Sequence, residues 1–149
     1  LVGKNMGEKK IKKAEASIIE SVRFSEMIMG SVGVLFILFP HWIVPLFTAD
    51  PQVQSLSIIG IRIIGILQFF DAVGMTLWFA LSGAGNTIYP AVVESVLIWV
   101  FMLPASYYFG VVLGFGFYAP WVSIFFMIVS FAVLMAIKIK KGDWKKIEV

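Results

Sequence analysis

The sequence contains four apolar runs of about twenty residues or more, and these runs restrict the chain to a narrow class of folds. A helix of about twenty apolar residues crosses a hydrocarbon layer about 30 Å thick, because each residue adds about 1.5 Å. Of all residues, 60% are hydrophobic and 14% are charged, whereas about 25% are charged in a typical soluble domain. The sequence therefore predicts an all-α integral membrane protein with four transmembrane helices.

Prolines and glycines separate the apolar runs and place their boundaries. Asp50 and Pro51 predict a helix start, because Asp is a favoured cap and Pro suits the first helical position. The chain of 149 residues is therefore divided into predicted spans at about residues 24–47, 52–82, 90–112 and 119–137.

Charged segments flank the predicted spans. Residues 1–21 form a basic approach segment in which Ala14 and Ile18 are four residues apart, as in an amphipathic helix at a membrane surface. A solvated helix that extends the first span is an equally open interpretation. Residues 138–149 form a charged tail, with Trp144 as its expected anchor.

The distribution of basic residues predicts how the chain is oriented. All twelve Lys and Arg residues except Arg62 lie before Phe24 or after Ile137. Four spans place both ends of the chain on the same side, and basic residues are enriched on the cytoplasmic side of membranes. We therefore expect a multi-pass protein of the plasma (inner) membrane with both ends of this chain in the cytoplasm.

One carboxylate lies deep in the second apolar run. Asp71 is about one turn from the midpoint of that run, which falls near Gln68. An ionisable side chain at this depth costs several kcal/mol unless something coordinates it. Arg62 is nine residues earlier and so lies on the opposite helix face, where it cannot pair with Asp71. Asp71 must therefore bind a proton, a cation or a partner on another helix.

Three further side chains share the helix face of Asp71 and are candidate cavity-lining residues: Gln68, Met75 and Trp78. An aromatic side chain in such a cavity suits lipophilic cations. For Met75, ordinary packing between helices is the simpler interpretation.

Two glutamates also fall within the apolar runs. Glu94 lies in the first turn of the third span, where the helix dipole favours a negative charge, and a proton relay is the alternative role. Glu26 is expected to reach the headgroups or to pair with Arg23.

The residue types that are missing exclude several classes of chemistry. The chain has no Cys and one His, which excludes disulfides, thiolate metal sites and Cys nucleophiles. We see no combination of nucleophile and base, so we expect neither an enzyme nor a bound organic cofactor. The basic residues flank the membrane and are expected to meet anionic lipid, not nucleic acid.

Three segments carry a resemblance to a known family. Residues 1–7, LVGKNMG, are similar to the pattern V-G-Q-x-x-G. Residues 45–53, PLFTADPQV, are similar to L-F-T-x-D-P-x-V, and residues 82–90, SGAGNTIYP, are similar to R-G-A-G-D-T-x-x-P. In order and spacing, these segments resemble the second half of the C-terminal lobe of multidrug and toxic compound extrusion (MATE) transporters.

The resemblance implies a fold of twelve helices in two six-helix lobes around a cavity that opens alternately to each side. This chain would supply helices nine to twelve of the C-terminal lobe, and the missing N-terminal helices of the same protein would be its partners. The cytoplasmic turn between helices ten and eleven would be formed by Gly83, Gly85, Asn86, Thr87 and Pro90. Ser82 and Asn86 replace the Arg and Asp of the family pattern, so this turn lacks those charges.

The resemblance also implies a role for Asp71. It matches an acidic position in helix ten that helps to bind the coupling cation in some family members, together with an acidic residue of helix seven. Asp71 would then hold Na⁺ or H⁺ as the coupling ion, and the protein would export organic cations or drugs by antiport.

Two other functions are compatible with the sequence. One is a self-contained four-helix exporter that works as a homodimer, although such small exporters carry their essential carboxylate in the first helix. The other is a flippase for lipids or lipid-linked sugars on the same superfamily scaffold. A flippase would need a basic cavity for charged headgroups, and Arg62 alone is thin support for one.

Overall fold

The computed structural model describes residues 1–147, and helices form the regular structure throughout that range. Two short helices, α1 and α3, accompany four long ones. In chain order they are α1 Val2–Gly7, α2 Ile11–Leu38, α3 Pro40–Ile43, α4 Pro51–Gly83, α5 Ile88–Val112 and α6 Tyr118–Lys141. Short 3₁₀ turns cover Val44–Leu46 and Asp143–Lys146.

Within residues 1–147, four helices are long and apolar enough to cross a membrane: α2, α4, α5 and α6. The helix α2 extends further toward the N-terminus than the predicted first span, because the amphipathic pattern of the approach segment continues into it without a break. It ends at Leu38, since Pro40 lacks a backbone donor and starts the short helix α3.

The start of α4 confirms the predicted helix cap. The Asp50 carboxylate accepts hydrogen bonds from the backbone N–H groups of Gln52 at 2.8 Å and Val53 at 3.4 Å. Pro51 occupies the first helical position, where a backbone N–H group would have no partner within the helix, so the lack of this group in Pro costs nothing.

The helices α2 and α4 run antiparallel and touch through their backbones. A Cβ atom built on Gly33 would lie 2.6 Å from the carbonyl oxygen of Gly65, and one built on Gly65 would lie 2.7 Å from that of Gly33. About two to three turns away along the same interface, the Thr76 hydroxyl donates a hydrogen bond of 2.8 Å to the Ser25 hydroxyl. Small residues and hydroxyl contacts of this kind hold helices together in membranes, where lipid removes the hydrophobic drive.

The helix α5 contains two widened π-type segments, Leu97–Met102 and Tyr108–Val112. They flank the segment that contains Pro104. A proline inside a helix removes one backbone hydrogen bond, and wider turns on both sides accommodate that loss.

Side chains from both ends of the chain form a common core at one end of the bundle, which we call the terminal end. Its buried members are Met6, Ala14, Ile18, Leu77, Ala80, Leu81, Ala84, Phe131, Met135 and Trp144. Trp144, the expected anchor of the tail, is part of this core and so holds the tail against the bundle. Its side chain is 0% exposed, and its Nε1 donates a hydrogen bond of 2.9 Å to the carbonyl oxygen of Ile139.

Candidate functional site

The carboxylate of Asp71 borders a small cavity between α4, α5 and α6. The cavity has a volume of about 40 Å³, and its lining consists of Asp71, Met75, Glu94, Leu97, Met127, Ile128 and Phe131. Such a volume accommodates a water molecule or a partly dehydrated monovalent cation. Apart from the two carboxylates, the lining is apolar, so a cation inside would interact with negative charge in a surrounding of low polarity.

A second carboxylate, Glu94 of α5, borders the same cavity. The expectation that Glu94 lies in the first turn of its helix is wrong, because α5 begins at Ile88, two residues before the predicted start, and its first turn contains no acidic residue. The packing of α5 against α4 brings Glu94 to the cavity that Asp71 borders. The sequence feature that could have identified Glu94 as a site residue is an ionisable side chain within an apolar run.

Neither carboxylate is neutralised by a basic side chain within residues 1–147. The ion pairs found there are Lys10–Glu8, Arg23–Glu20, Lys138–Asp143 and Lys145–Glu15. Arg62 is exposed on another face of α4 and does not pair with Asp71, as the nine-residue spacing predicts. A cation in this cavity would be attracted by both carboxylates.

The structure separates the three candidate cavity residues of α4. Met75 lies at the Asp71 cavity. Gln68 faces α2, where its Nε2 lies 3.8 Å from the sulfur of Met29. Trp78 packs against the core of the terminal end, and its Nε1 is buried without a hydrogen-bond partner in the described part of the chain.

Glu26 is a third carboxylate inside the predicted apolar spans, and it lies on α2. The expected pair with Arg23 is absent, because Arg23 pairs with Glu20 at 2.9 Å. One Glu26 oxygen, Oε1, is buried and lacks a hydrogen-bond partner among residues 1–147. Glu26 is thus separate from the cavity that Asp71 and Glu94 share.

The glycine-rich turn after α4 closes the helix and provides a contact surface for α1. Gly85 adopts a left-handed conformation with φ of 87°, and the N–H group of Asn86 donates to the Leu81 carbonyl oxygen at 2.9 Å. A Cβ atom on Gly3 would lie 2.5 Å from the carbonyl oxygen of Gly83.

Two of the three family-like segments, residues 1–7 and 82–90, therefore contact each other.

Thr87 precedes α5 without a side-chain capping bond. Pro90 is fully buried in the first turn of α5.

Asp71 and Glu94 are the pair of carboxylates that could contact a cation in this cavity. No group of three or more His, Asp or Glu side chains that could hold a metal ion occurs in the part of the chain that the structure describes. A cation held by Asp71 and Glu94 would need water molecules or residues from outside this chain to complete its coordination.

Comparisons with known proteins give consistent matches. The MatE family model matches residues 1–108. Over 116 residues the chain is 32% identical to a probable multidrug resistance protein NorM of Thermotoga maritima, with 78% of this chain and 25% of the relative covered. It is 27% identical over 123 residues to the uncharacterized transporter YisQ of Bacillus subtilis, covering 83% of this chain and 27% of the relative.

A plant relative is matched over nearly the whole chain. Protein DETOXIFICATION 48 of Arabidopsis thaliana is 26% identical over 145 residues, with 97% of this chain and 27% of the relative covered. The chain thus spans about a quarter of the length of the curated relatives that it matches.

Proposed function

The chain belongs to the MatE family, and from that premise we propose that it forms part of a transporter that exports organic cations or other amphiphiles in exchange for Na⁺ or H⁺. Membership confirms the resemblance inferred from the three segments. Together with the four long apolar helices, it makes this an integral, multi-pass membrane protein.

The main support for ion coupling is the shared cavity of Asp71 and Glu94. Their carboxylates come from different helices, border one cavity and lack basic partners in the described part of the chain. A carboxylate at membrane depth is stable when it is protonated or holds a cation, and its charge is restored when the cation leaves.

Competition between the coupling ion and the substrate would give antiport. When Na⁺ or H⁺ neutralises Asp71, an organic cation loses its electrostatic attraction to the cavity. When the ion leaves, the restored negative charge attracts the cationic substrate, so the two ligands bind in alternate states. Helices outside this chain would complete the site, in keeping with a relative that is about three times as long.

The proposed orientation follows the basic residues at the ends of the chain. Both ends of this chain would lie in the cytoplasm of a cell with the transporter in its plasma membrane. The turn from Gly83 to Thr87 would then also be cytoplasmic.

The experiment that tests this function is gradient-driven efflux by the complete gene product. Asp71→Asn keeps the size of the side chain and removes its charge, so we expect it to abolish export of a fluorescent lipophilic cation under an imposed Na⁺ or H⁺ gradient. Asp143→Asn is the matched control, because Asp143 is exposed and pairs with Lys138 outside the cavity.

The amount of inserted protein is measured for both variants. Undiminished efflux by an inserted Asp71→Asn variant would contradict the assignment. Imposing the Na⁺ gradient and the H⁺ gradient separately on the wild type identifies the coupling ion.

A further inference from the structure

A cleft lined with lysines lies at the terminal end, away from the Asp71 cavity. Its volume is about 520 Å³, and it is formed by the turn between α1 and α2 together with the 3₁₀ turn after α6. We call it the basic cleft, and its lining consists of Met6, Gly7, Lys9, Ile11, Lys145, Lys146 and Ile147.

Among residues 1–147, the carboxylates next to the basic cleft, Glu8 and Glu15, are already paired. Glu8 pairs with Lys10 at 2.6 Å, and Glu15 pairs with Lys145. Lys9 and Lys146 form no ion pair within residues 1–147. The described lining therefore carries an excess of positive charge, which favours an anionic ligand.

Both walls of the basic cleft are held in place by buried contacts. On one side, the buried Trp144 fixes the 3₁₀ turn that carries the two C-terminal lysines. On the other side, the side-chain amide of Asn5 donates a hydrogen bond of 3.1 Å to Ser17 and ties α1 to α2. Lys9 follows in a left-handed conformation with φ of 55°. A site on supported elements loses less entropy when it binds a ligand.

The lining combines charge with apolar surface. Ile11 and Ile147 stand beside the lysines, so the cleft offers contacts to a phosphate and to the hydrocarbon next to it. The cleft lies beside Ile11, where α2 begins, and beside the segment that follows Lys141, where α6 ends. Basic residues that flank membrane-spanning helices can reach acidic lipid headgroups.

We propose that the basic cleft binds the phosphate of an anionic phospholipid headgroup, with Lys9 and Lys146 as the main contacts. Lysines near a membrane surface each contribute to the binding of acidic lipids, and basic pockets between transmembrane helices bind acidic headgroups. The bound lipid joins the α1–α2 turn to the segment after α6. This site is independent of the proposed transport function, because it shares no residue with the Asp71 cavity.

Native mass spectrometry of the complete protein tests this site. Phosphatidylglycerol and phosphatidylcholine with identical acyl chains are added separately, and the lipid-bound fraction is measured. We expect the wild type to retain phosphatidylglycerol selectively. In the variant Lys9→Ala/Lys146→Ala, its apparent affinity should fall roughly five-fold for each lysine removed.

The matched control is Lys12→Ala/Lys13→Ala, which removes the same charge from exposed positions near the cleft. The control should bind phosphatidylglycerol as the wild type does. Lys9→Arg/Lys146→Arg keeps both charges and should also retain binding, which keeps the test decisive if the alanine variant does not fold.

Two results would overturn the proposal. Equal losses in the cleft variant and in the Lys12/Lys13 control would mean diffuse attraction without a site. Displacement of the lipid by inorganic phosphate at an equal concentration would mean a site for a free anion, with no contribution from the lipid's glycerol and acyl chains.

Discussion

The face of α4 that packs against α2 brings the backbones of Gly33 and Gly65 into contact, whereas the face toward α5 and α6 encloses a cavity. The first face also carries a hydroxyl–hydroxyl hydrogen bond between Thr76 and Ser25. The second face carries Asp71 and, across the cavity, Glu94.

The two faces of α4 therefore differ in role: one packs against a neighbouring helix and the other borders the proposed ion site. Close backbone packing at the α2 face leaves no room for a ligand and holds the two helices as a unit. The opposite face leaves space next to two carboxylates, and space beside ionisable groups is what ion binding needs. Altering either face should therefore change a different property of the protein.

The largest expected effect comes from inserting a methyl group where α2 and α4 touch. In Gly65→Ala, the new Cβ atom would lie 2.7 Å from a backbone oxygen, which cannot rotate away. Overpacking of this kind costs about 1–3 kcal/mol. We expect a lower melting temperature and less folded protein in size-exclusion chromatography.

Gly83→Ala is the control for that variant on the same helix. A Cβ atom at Gly83 would meet its nearest neighbour at 3.8 Å, an ordinary contact. Equal destabilisation by both substitutions would show that the close approach of α2 and α4 is not the cause.

On the opposite face, Glu94→Gln should weaken ion binding without preventing folding. Removal of one carboxylate from the shared cavity lowers its attraction for a cation, and we expect about tenfold weaker apparent affinity for the coupling ion. Combined with Asp71→Asn, it should cause no further loss, because the two groups act on one ion. Independent, additive losses in a double-mutant cycle of coupling-ion binding, measured directly and not through transport, would contradict a shared site.

The smallest effect is expected at the hydrogen bond between α4 and α2. Thr76→Val removes the donor to Ser25 and keeps the shape of the side chain. Hydrogen bonds between transmembrane helices contribute about 0.6 kcal/mol on average. Thermal unfolding should show a slight destabilisation, with ion-driven transport unchanged.

Ser31→Ala serves as the comparison for Thr76→Val, since the Ser31 hydroxyl bonds only to a carbonyl oxygen of its own helix. A change in ion affinity for Thr76→Val would contradict the separation of the two faces.

The sequence predicted the helices better than it predicted their contacts. Apolar runs and the Asp50–Pro51 start depend on local physics, so α4 was recognised with nearly its observed ends. Helical periodicity also placed Asp71 with Met75, but it grouped Gln68 with them, and Gln68 faces α2. A 100° periodicity defines a face without saying which neighbour occupies it.

Two further features depend on packing between distant segments. The cavity that joins Glu94 to Asp71 exists only because α5 lies against α4. Trp144 is buried in a core that it shares with residues of α1, α2 and α4, whereas a Trp in a charged tail is typical of an interfacial anchor.

Thiol cross-linking in native membranes tests the central claim most directly, namely that Asp71 and Glu94 face each other across one cavity. This chain has no Cys, so pairs of cysteines can be introduced into it without background from its own residues. The variant Asp71→Cys/Glu94→Cys is compared with Gln68→Cys/Glu94→Cys. A protease site is introduced into the turn between α4 and α5, so that after cleavage the two fragments stay together on a denaturing gel only if the cysteines are cross-linked. A short bifunctional thiol reagent should join the first pair and leave the second unlinked. Equal linking of both pairs, or linking of the Gln68 pair alone, would contradict the account.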